Sequence, residues 1–416
     1  MSFVLFWALI FRYVCIDITK KYMISVPQAL QIVEEKVKAT SETITLSLRE
    51  ALGFKLAENI VSPIDMPPFN QSAMDGYAIC NHQSDVYELI GEVQAGSSNH
   101  PVLKQGDSVR IFTGAPVPDT ANAVIMQEKV SKLDHNQIQI SDQPTLQKNI
   151  RLKGEQIQQG DIALKKGVTL NASIIGFLSG LGITKATVYK KPKVSIIVTG
   201  NELIKPGNSL VRGEIYESNA VMLEMALIEN GFTDVRVLHV KDNYDSTKNT
   251  IEQAVKVSDF VLLTGGISVG DYDFVGKALA ELKANQHFYK VKQKPGKPLY
   301  FGSIEQTYIY ALPGNPAAAL TSFYIYVLNS LCQYAQLPKK VSSIKAKLQE
   351  PYSKKGGRAQ FLKAHLNSHG IAHVLTGQSS AMLRAFAEAN TFVFVPEETE
   401  IIEMNESVTL YNIPYA

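Results

Sequence analysis

The chain has 416 residues, 45% of them hydrophobic and 19% charged, with a formal net charge of +2. Single hydrophobic cores rarely exceed about 250–300 residues, so several domains are expected. A near-neutral balance without a concentrated basic patch excludes an electrostatic nucleic-acid binder. Three scattered cysteines, Cys15, Cys80 and Cys332, form neither a CxxC pair nor a disulfide framework, which suits the reducing cytoplasm.

The chain begins with an apolar run, Phe3 to Phe11, broken by Arg12 and resumed at Tyr13–Ile16. It falls short of the ~18–20 residues of a spanning helix. It also lacks the basic start and small-residue cleavage site of a signal peptide. Residues 1–22 are read as an extension, possibly non-native, ahead of Met23; the alternative is a short membrane-surface anchor. From Ser25, a capping residue with Pro27 behind it, Ala29, Leu30, Ile32, Val33 and Val37 form the apolar face of a helix. Residues 43–149 hold short β-type runs between Gly, Pro, Asn and Asp and predict a β-rich domain. Residues 150–190 return to a helix near Ala172–Leu181 and are expected to pair with 23–42 as a discontinuous linker domain. Residues 191–337 alternate strand and helix, which predicts an α/β domain with a mainly parallel sheet; within it Ser218-Asn219 is expected to cap the helix Ala220–Asn230, and Asp245 the helix Ser246–Val257. Residues 338–416 read as a small C-terminal β domain resembling a barrel.

Within the α/β domain, Phe260–Leu263 predicts a buried strand that runs into Thr264-Gly265-Gly266-Ile267-Ser268-Val269-Gly270-Asp271-Tyr272-Asp273. Asp273 stands at the N-cap position of the helix that follows. Glycines and a serine let backbone N–H groups approach an anion, and a helix N-terminus aims its positive end at the same place. In open α/β sheets, ligands bind at the carboxyl ends of the strands. Other polar loops are expected at that rim: Thr199–Leu203, Lys241–Asn243, Lys290–Pro298 and Leu312–Pro316. Glu202, Asp242 and Asp273 would converge there, and like charges gather only with a cation or a raised pKa. Mg²⁺ suits such a site, because it takes one or two carboxylates together with ligand phosphates. The lysines between Lys290 and Lys297 would supply the anion-binding half. No Walker A, GxGxxG, HExxH or GxSxG motif occurs in its required context.

Ser72-Ala73-Met74-Asp75-Gly76-Tyr77-Ala78, Thr113-Gly114-Ala115-Pro116, Met126-Gln127-Glu128, Gly265-Gly266-Ile267-Ser268-Val269-Gly270, Lys294-Pro295-Gly296-Lys297-Pro298 and Leu312-Pro313-Gly314-Asn315-Pro316 match in order the molybdopterin molybdenumtransferases, which include the E domain of gephyrin. The resemblance runs from about Met23 to the C-terminus. It implies a cytoplasmic four-domain homodimer with an active cleft shared between subunits. It also implies a transferase that takes adenylylated molybdopterin and molybdate and releases molybdenum cofactor and AMP with Mg²⁺ or a similar cation. Contact with molybdopterin adenylyltransferase is a further implied partnership.

Carried over by motif, Asp75, Thr113, Glu202, Asp242, Asp273, Lys290 and Lys294 line the pterin-phosphate cleft with Gly265, Gly266, Ser268 and Gly270. Glu202, Asp242 and Asp273 hold the metal, and with Asp75 they form the expected catalytic set. Lys297, Arg358 and Ser380 match positions around the molybdate site, and Pro298 is a further substrate-binding position. The chain departs from the family pattern at Gln156, where an acidic residue is usual, and at Asn70-Gln71, which stand in place of Asp-Asn. Gln156 is retained as an orienting contact. Two other functions compete: a molybdopterin adenylyltransferase, whose chains are short and single-domain, and a gephyrin-like scaffold, which would need a partner-binding segment.

Overall fold

The computed structural model describes residues 23–267 and 274–414. These fall into two compact units, one of residues 23–42 and 189–414, the other of residues 43–188. The apolar run at the chain start, and Ser268, Gly270 and Asp273, lie outside the described residues.

The first unit opens with helix α1, Val26–Lys36, whose N-cap Ser25 and Gln28 form a reciprocal capping box. The alternating segment then gives β1 (Val194–Thr199), α2 (Asn219–Glu229), β2 (Val235–Val240), α3 (Tyr244–Val255), β3 (Phe260–Thr264) and α4 (Phe274–Glu281). It continues with β4 (Asn285–Lys290), β5 (Pro298–Ile304), β6 (Thr307–Leu312), and a long helix from α5 (Pro316–Ser322) to α6 (Leu328–Tyr334) through a π-helical turn at Phe323–Val327. The sheet order is β2-β1-β3-β6-β5-β4. The first four strands are parallel; β5 runs antiparallel to both β6 and β4, so it alone is reversed. The sheet is therefore mainly parallel, as the alternating pattern requires.

β1 and β3 are buried along their full length because helices cover both faces. Successive side chains point to opposite faces. Ile196, Val198, Leu262 and Leu312 pack with α2 and the long helix, whereas Ile197, Val261, Leu263 and Ala311 pack with α3 and α4. Two of the expected caps differ in detail. α3 is capped by Asn243, whose side chain accepts from Ser246 N, and Asp245 lies in the first turn. The extended backbone of Asn243 is what a cap requires. At α2, Ser218 makes no side-chain cap bond; the Glu217 carboxylate instead accepts from Ala220 N at 2.8 Å.

The contacts described for α1 and its C-cap run to the long helix of its own unit and the segment just after it. Gln333 Nε2 donates to Val37 O at 2.7 Å and Lys339 pairs with Glu34 at 2.9 Å. Burial is the reason: Val26, Ala29 and Val33 belong to the same core as Leu331 and Ile196.

The C-terminal part of this unit is a closed β-barrel. Ala359–Leu366, Ile371–Val374, Ser343–Leu348, Ser407–Asn412 and Thr391–Val395 pair in that order, and the last pairs back with the first. Gln293–Lys294 adds to Ala359–Leu366 as a short parallel strand, which ties the barrel to the loop between β4 and β5.

The second unit holds a six-stranded sheet in the order Ala123–Met126, Gly76–Ile79, Asp107–Ile111, Val86–Val93, Gln137–Ile140, Val130–Lys132. Gly76 is required there, since a Cβ would sit 1.8 Å from Ile125 O. A second core in this unit joins Leu48, Ala51 and Leu56 to Leu170, Leu178 and Val188. Its helix Ala172–Gly180 is capped by Asn171. Among the described residues, no helix is long and apolar enough to cross a membrane.

Candidate active site

In a parallel sheet, one edge collects every strand's carboxyl end. Thr199 of β1 stands beside Val240 of β2, Val198 beside Thr264 of β3, and Thr264 beside Leu312 of β6. The loops that follow these strands border a cleft of about 1200 Å³. Its wall includes Glu202 and Asp242, Gly265 and Gly266, Lys294 and Pro298, and Arg358 and Ser380. The first residues come from sheet loops, and Arg358 and Ser380 come from the barrel.

Specific bonds fix each wall. Asn201 and Asp242 hold one another: Asn201 N donates to Asp242 Oδ2 at 3.2 Å, and Asp242 N donates to Asn201 Oδ1 at 3.1 Å. Gly265 approaches β1 so closely that a Cβ would lie 2.5 Å from Thr199 O, and its φ is +90°. Only glycine suits that position. Asn219 Nδ2 donates both to Thr264 Oγ1 at 2.8 Å and to Gly314 O at 2.7 Å, linking the ends of β3 and β6. Gln293 is fully buried and braces the lysine-bearing loop, its Nε2 donating to Gly296 O at 3.1 Å. Arg358 Nη1 donates to Gln293 O at 3.2 Å, which leaves most of its guanidinium donors for a ligand. Asn315 Nδ2 donates to Ser380 Oγ at 3.0 Å.

Lys290 and Lys297 are not part of this wall; Lys290 Nζ lies over the Tyr289 ring, 5.1 Å from its centroid. Asp75, Thr113 and Gln156 belong to the other unit. There Asp75 Oδ1 accepts from Thr113 N and Thr113 Oγ1, both at 2.8 Å. The backbone bond, then the hydroxyl bond, then nearby Arg110 hold its carboxyl below the usual range. The Gln156 side chain is exposed. Sequence reasoning missed Asn219, Glu217 and Gln378, which the fold brings to the cleft. Asn219 was visible only as a cap residue, and Gln378 carried no signal.

Glu202 and Asp242 lie in the loops after adjacent strands and border one cleft, and buried Thr199 Oγ1, which lines the same cleft, has no hydrogen-bond partner among the described residues. No group of three or more ligating side chains occurs among the described residues. Two carboxylates suit the chemistry of a cation that takes one or two carboxylates plus substrate phosphates, as Mg²⁺ does. Among the described residues they do not form an all-protein cage.

Three family models cover the chain: the MoeA N-terminal region (domain I and II) at residues 24–182, the probable molybdopterin binding domain at 195–333, and the MoeA C-terminal region (domain IV) at 345–413. The chain belongs to the molybdopterin molybdenumtransferase family. It is 33% identical to the molybdopterin molybdenumtransferase of Haemophilus influenzae, over 93% of this chain and 98% of that protein. The Staphylococcus epidermidis enzyme is also 33% identical, over 92% of this chain and 94% of that protein. A crystal structure of the molybdopterin biosynthesis MoeA protein of Pyrococcus horikosii is 31% identical with a TM-score of 0.78, covering 94% of this chain and 99% of that one. Within a molybdopterin molybdenumtransferase, the model for the molybdopterin binding domain spans β1 to α6, the segment whose strand ends form the cleft. This is an enzyme of molybdenum cofactor biosynthesis with molybdopterin as its substrate.

Proposed function

We propose that the cleft at the carboxyl edge of the sheet inserts molybdenum from molybdate into adenylylated molybdopterin, releasing AMP and molybdenum cofactor. The observation that carries this reading is the meeting of two carboxylates with Lys294 and Arg358 around one cleft. Such a cleft suits a ligand with phosphates and a tetrahedral oxyanion together. Glu202 and Asp242, with Asp273, would hold Mg²⁺ or a similar cation, which supplies Lewis-acid polarisation of a phosphoryl oxygen. Lys294 offers a point charge to phosphate, and Arg358 offers a planar fork to an oxyanion. The backbone N–H groups near Gly265 and Gly266, free of Cβ crowding, receive the phosphate chain. Asp75, Thr113 and Gln156 serve as further contacts, with Gln156 donating and accepting hydrogen bonds instead of adding a charge.

The protein is inferred to act in the cytoplasm as a homodimer that completes the cleft between subunits, and to receive its substrate from molybdopterin adenylyltransferase. The test is AMP release from adenylylated molybdopterin, with and without molybdate and with and without a chelator. Release that requires both molybdate and a divalent cation is expected. Release indifferent to both would refute the reading.

A further inference from the structure

Lys363, on the barrel strand Ala359–Leu366, is only 3% exposed. Among the described residues it has no carboxylate partner. A buried ammonium is costly unless its donors are satisfied. Here its Nζ donates to Gly377 O at 2.7 Å, Met382 O at 3.0 Å and Ser379 O at 3.3 Å. These acceptors use all three N–H donors of a lysine, and all lie in one loop. That loop contributes Gln378, Ser379, Ser380 and Ala381 to the cleft wall.

The peptide bonds Gly377–Gln378 and Ser379–Ser380 are trans. In a trans peptide the C=O of one residue and the N–H of the next point in opposite directions. With the Gly377 and Ser379 carbonyls drawn toward Lys363, the N–H groups of Gln378 and Ser380 are turned away from it. Among the described residues neither N–H finds an acceptor. Unpaired N–H groups on alternate residues of a turn, both turned the same way, are suited to bind an anion. A second brace fixes the same loop, since Gln378 Nε2 donates to Lys363 O at 2.8 Å and to Leu375 O at 2.7 Å. The far side is pinned where Ala318 N donates to Ser380 O at 3.1 Å.

We propose that Lys363 is a positioning residue for oxyanion binding: it holds three loop carbonyls inward so that the N–H groups of Gln378 and Ser380 serve as donors to molybdate beside Arg358. The inference rests on the assignment of this end of the cleft to an oxyanion substrate. Lys363 itself does not touch the ligand.

The experiment is steady-state AMP release by the full chain, with molybdate and adenylylated molybdopterin varied separately. Lys363→Met is expected to raise the molybdate half-saturation point about tenfold, while that for the adenylylated pterin moves less than about twofold. Lys363→Arg, which retains charge and several donors, restores most of the loss. If Lys363→Met does not purify folded, Lys363→Gln, which reaches fewer of the three carbonyls, carries the same comparison with a smaller rise. A folded variant with an unchanged molybdate dependence overturns the proposal, as does a parallel loss for both substrates. Arg358→Ala separates the two levels. If it too leaves the molybdate dependence unchanged, the assignment of this end of the cleft fails; if it alone raises the half-saturation point, only the role of Lys363 fails.

Discussion

Glu202 and Asp242 lie three and two residues beyond the ends of neighbouring strands β1 and β2, and that is why both are visible in the sequence. A buried β-branched run followed by a polar residue places that residue at the rim of a parallel sheet. Each variant, Glu202→Gln and Asp242→Asn, keeps size and hydrogen bonding but loses a charge. Turnover at fixed Mg²⁺ should fall by about two orders of magnitude, or about 2.7 kcal/mol of barrier, with partial recovery as Mg²⁺ is raised. Unaltered Mg²⁺ dependence in both variants would remove them from the metal site. Proximity in the sequence groups Lys290 and Lys297 with Lys294, whereas of these three lysines Lys294 alone borders the cleft. Spacing along an irregular loop does not encode direction.

A second residue reports on stability. His287, packed against Phe301 at 5.0 Å between centroids, has its pKa pulled down to about 4 by burial and then by the charge of Lys36. The unfolded chain takes up this proton near pH 6.5. The folded pKa is the lower one, so the contribution is fully present above about pH 6.5 and is lost as pH falls toward about 4. His287→Gln should flatten the decline of the thermal midpoint over that window. An identical decline in the variant would assign the acid sensitivity elsewhere.

At the scale of elements, the strands and helices of the α/β segment were legible because hydrophobic runs and periodic faces fix them locally. What joins them was not. Asn219 reads as a helix-start residue, yet its amide links the end of β3 to the loop after β6. Only the folded sheet order, which sets β6 next to β3, reveals that role. The barrel closure between Ala359–Leu366 and Thr391–Val395 and the packing of α1 on the long helix are likewise non-local pairings. The cap at Asn243 rather than Asp245 is a shift that sequence cannot resolve, because both residue types cap well. Asn219→Leu should cost about 1–3 kcal/mol by stranding Thr264 and Gly314 groups and should lower the thermal midpoint by a few degrees. Turnover should fall as well, because two walls of the cleft lose their common tie. A variant with wild-type midpoint and turnover would show that the backbone alone fixes these loops. Gly265→Ala should be harsher, since its Cβ meets Thr199 O at 2.5 Å, a main-chain atom that cannot swing aside.

At the scale of the whole molecule, the expected site residues are split: the carboxylates, Lys294 and Arg358 belong to one compact unit, while Asp75, Thr113 and Gln156 belong to the other. If the protein works as a dimer with a shared cleft, variants inactivated in different units should complement. Mixing and re-equilibrating Asp75→Ala with Glu202→Gln would then restore up to about a quarter of wild-type turnover per site, the statistical share of intact clefts when subunits exchange freely. Persistent inactivity in verified mixed dimers would place all essential residues in one subunit. Molybdate-dependent AMP release tests the central claim most directly, by comparing the wild-type chain with a folded double variant, Glu202→Gln with Asp242→Asn. AMP released in step with molybdenum cofactor by the wild type, and neither product from the double variant despite retained binding of the adenylylated pterin, is the predicted result. Equal AMP release by both proteins would contradict it.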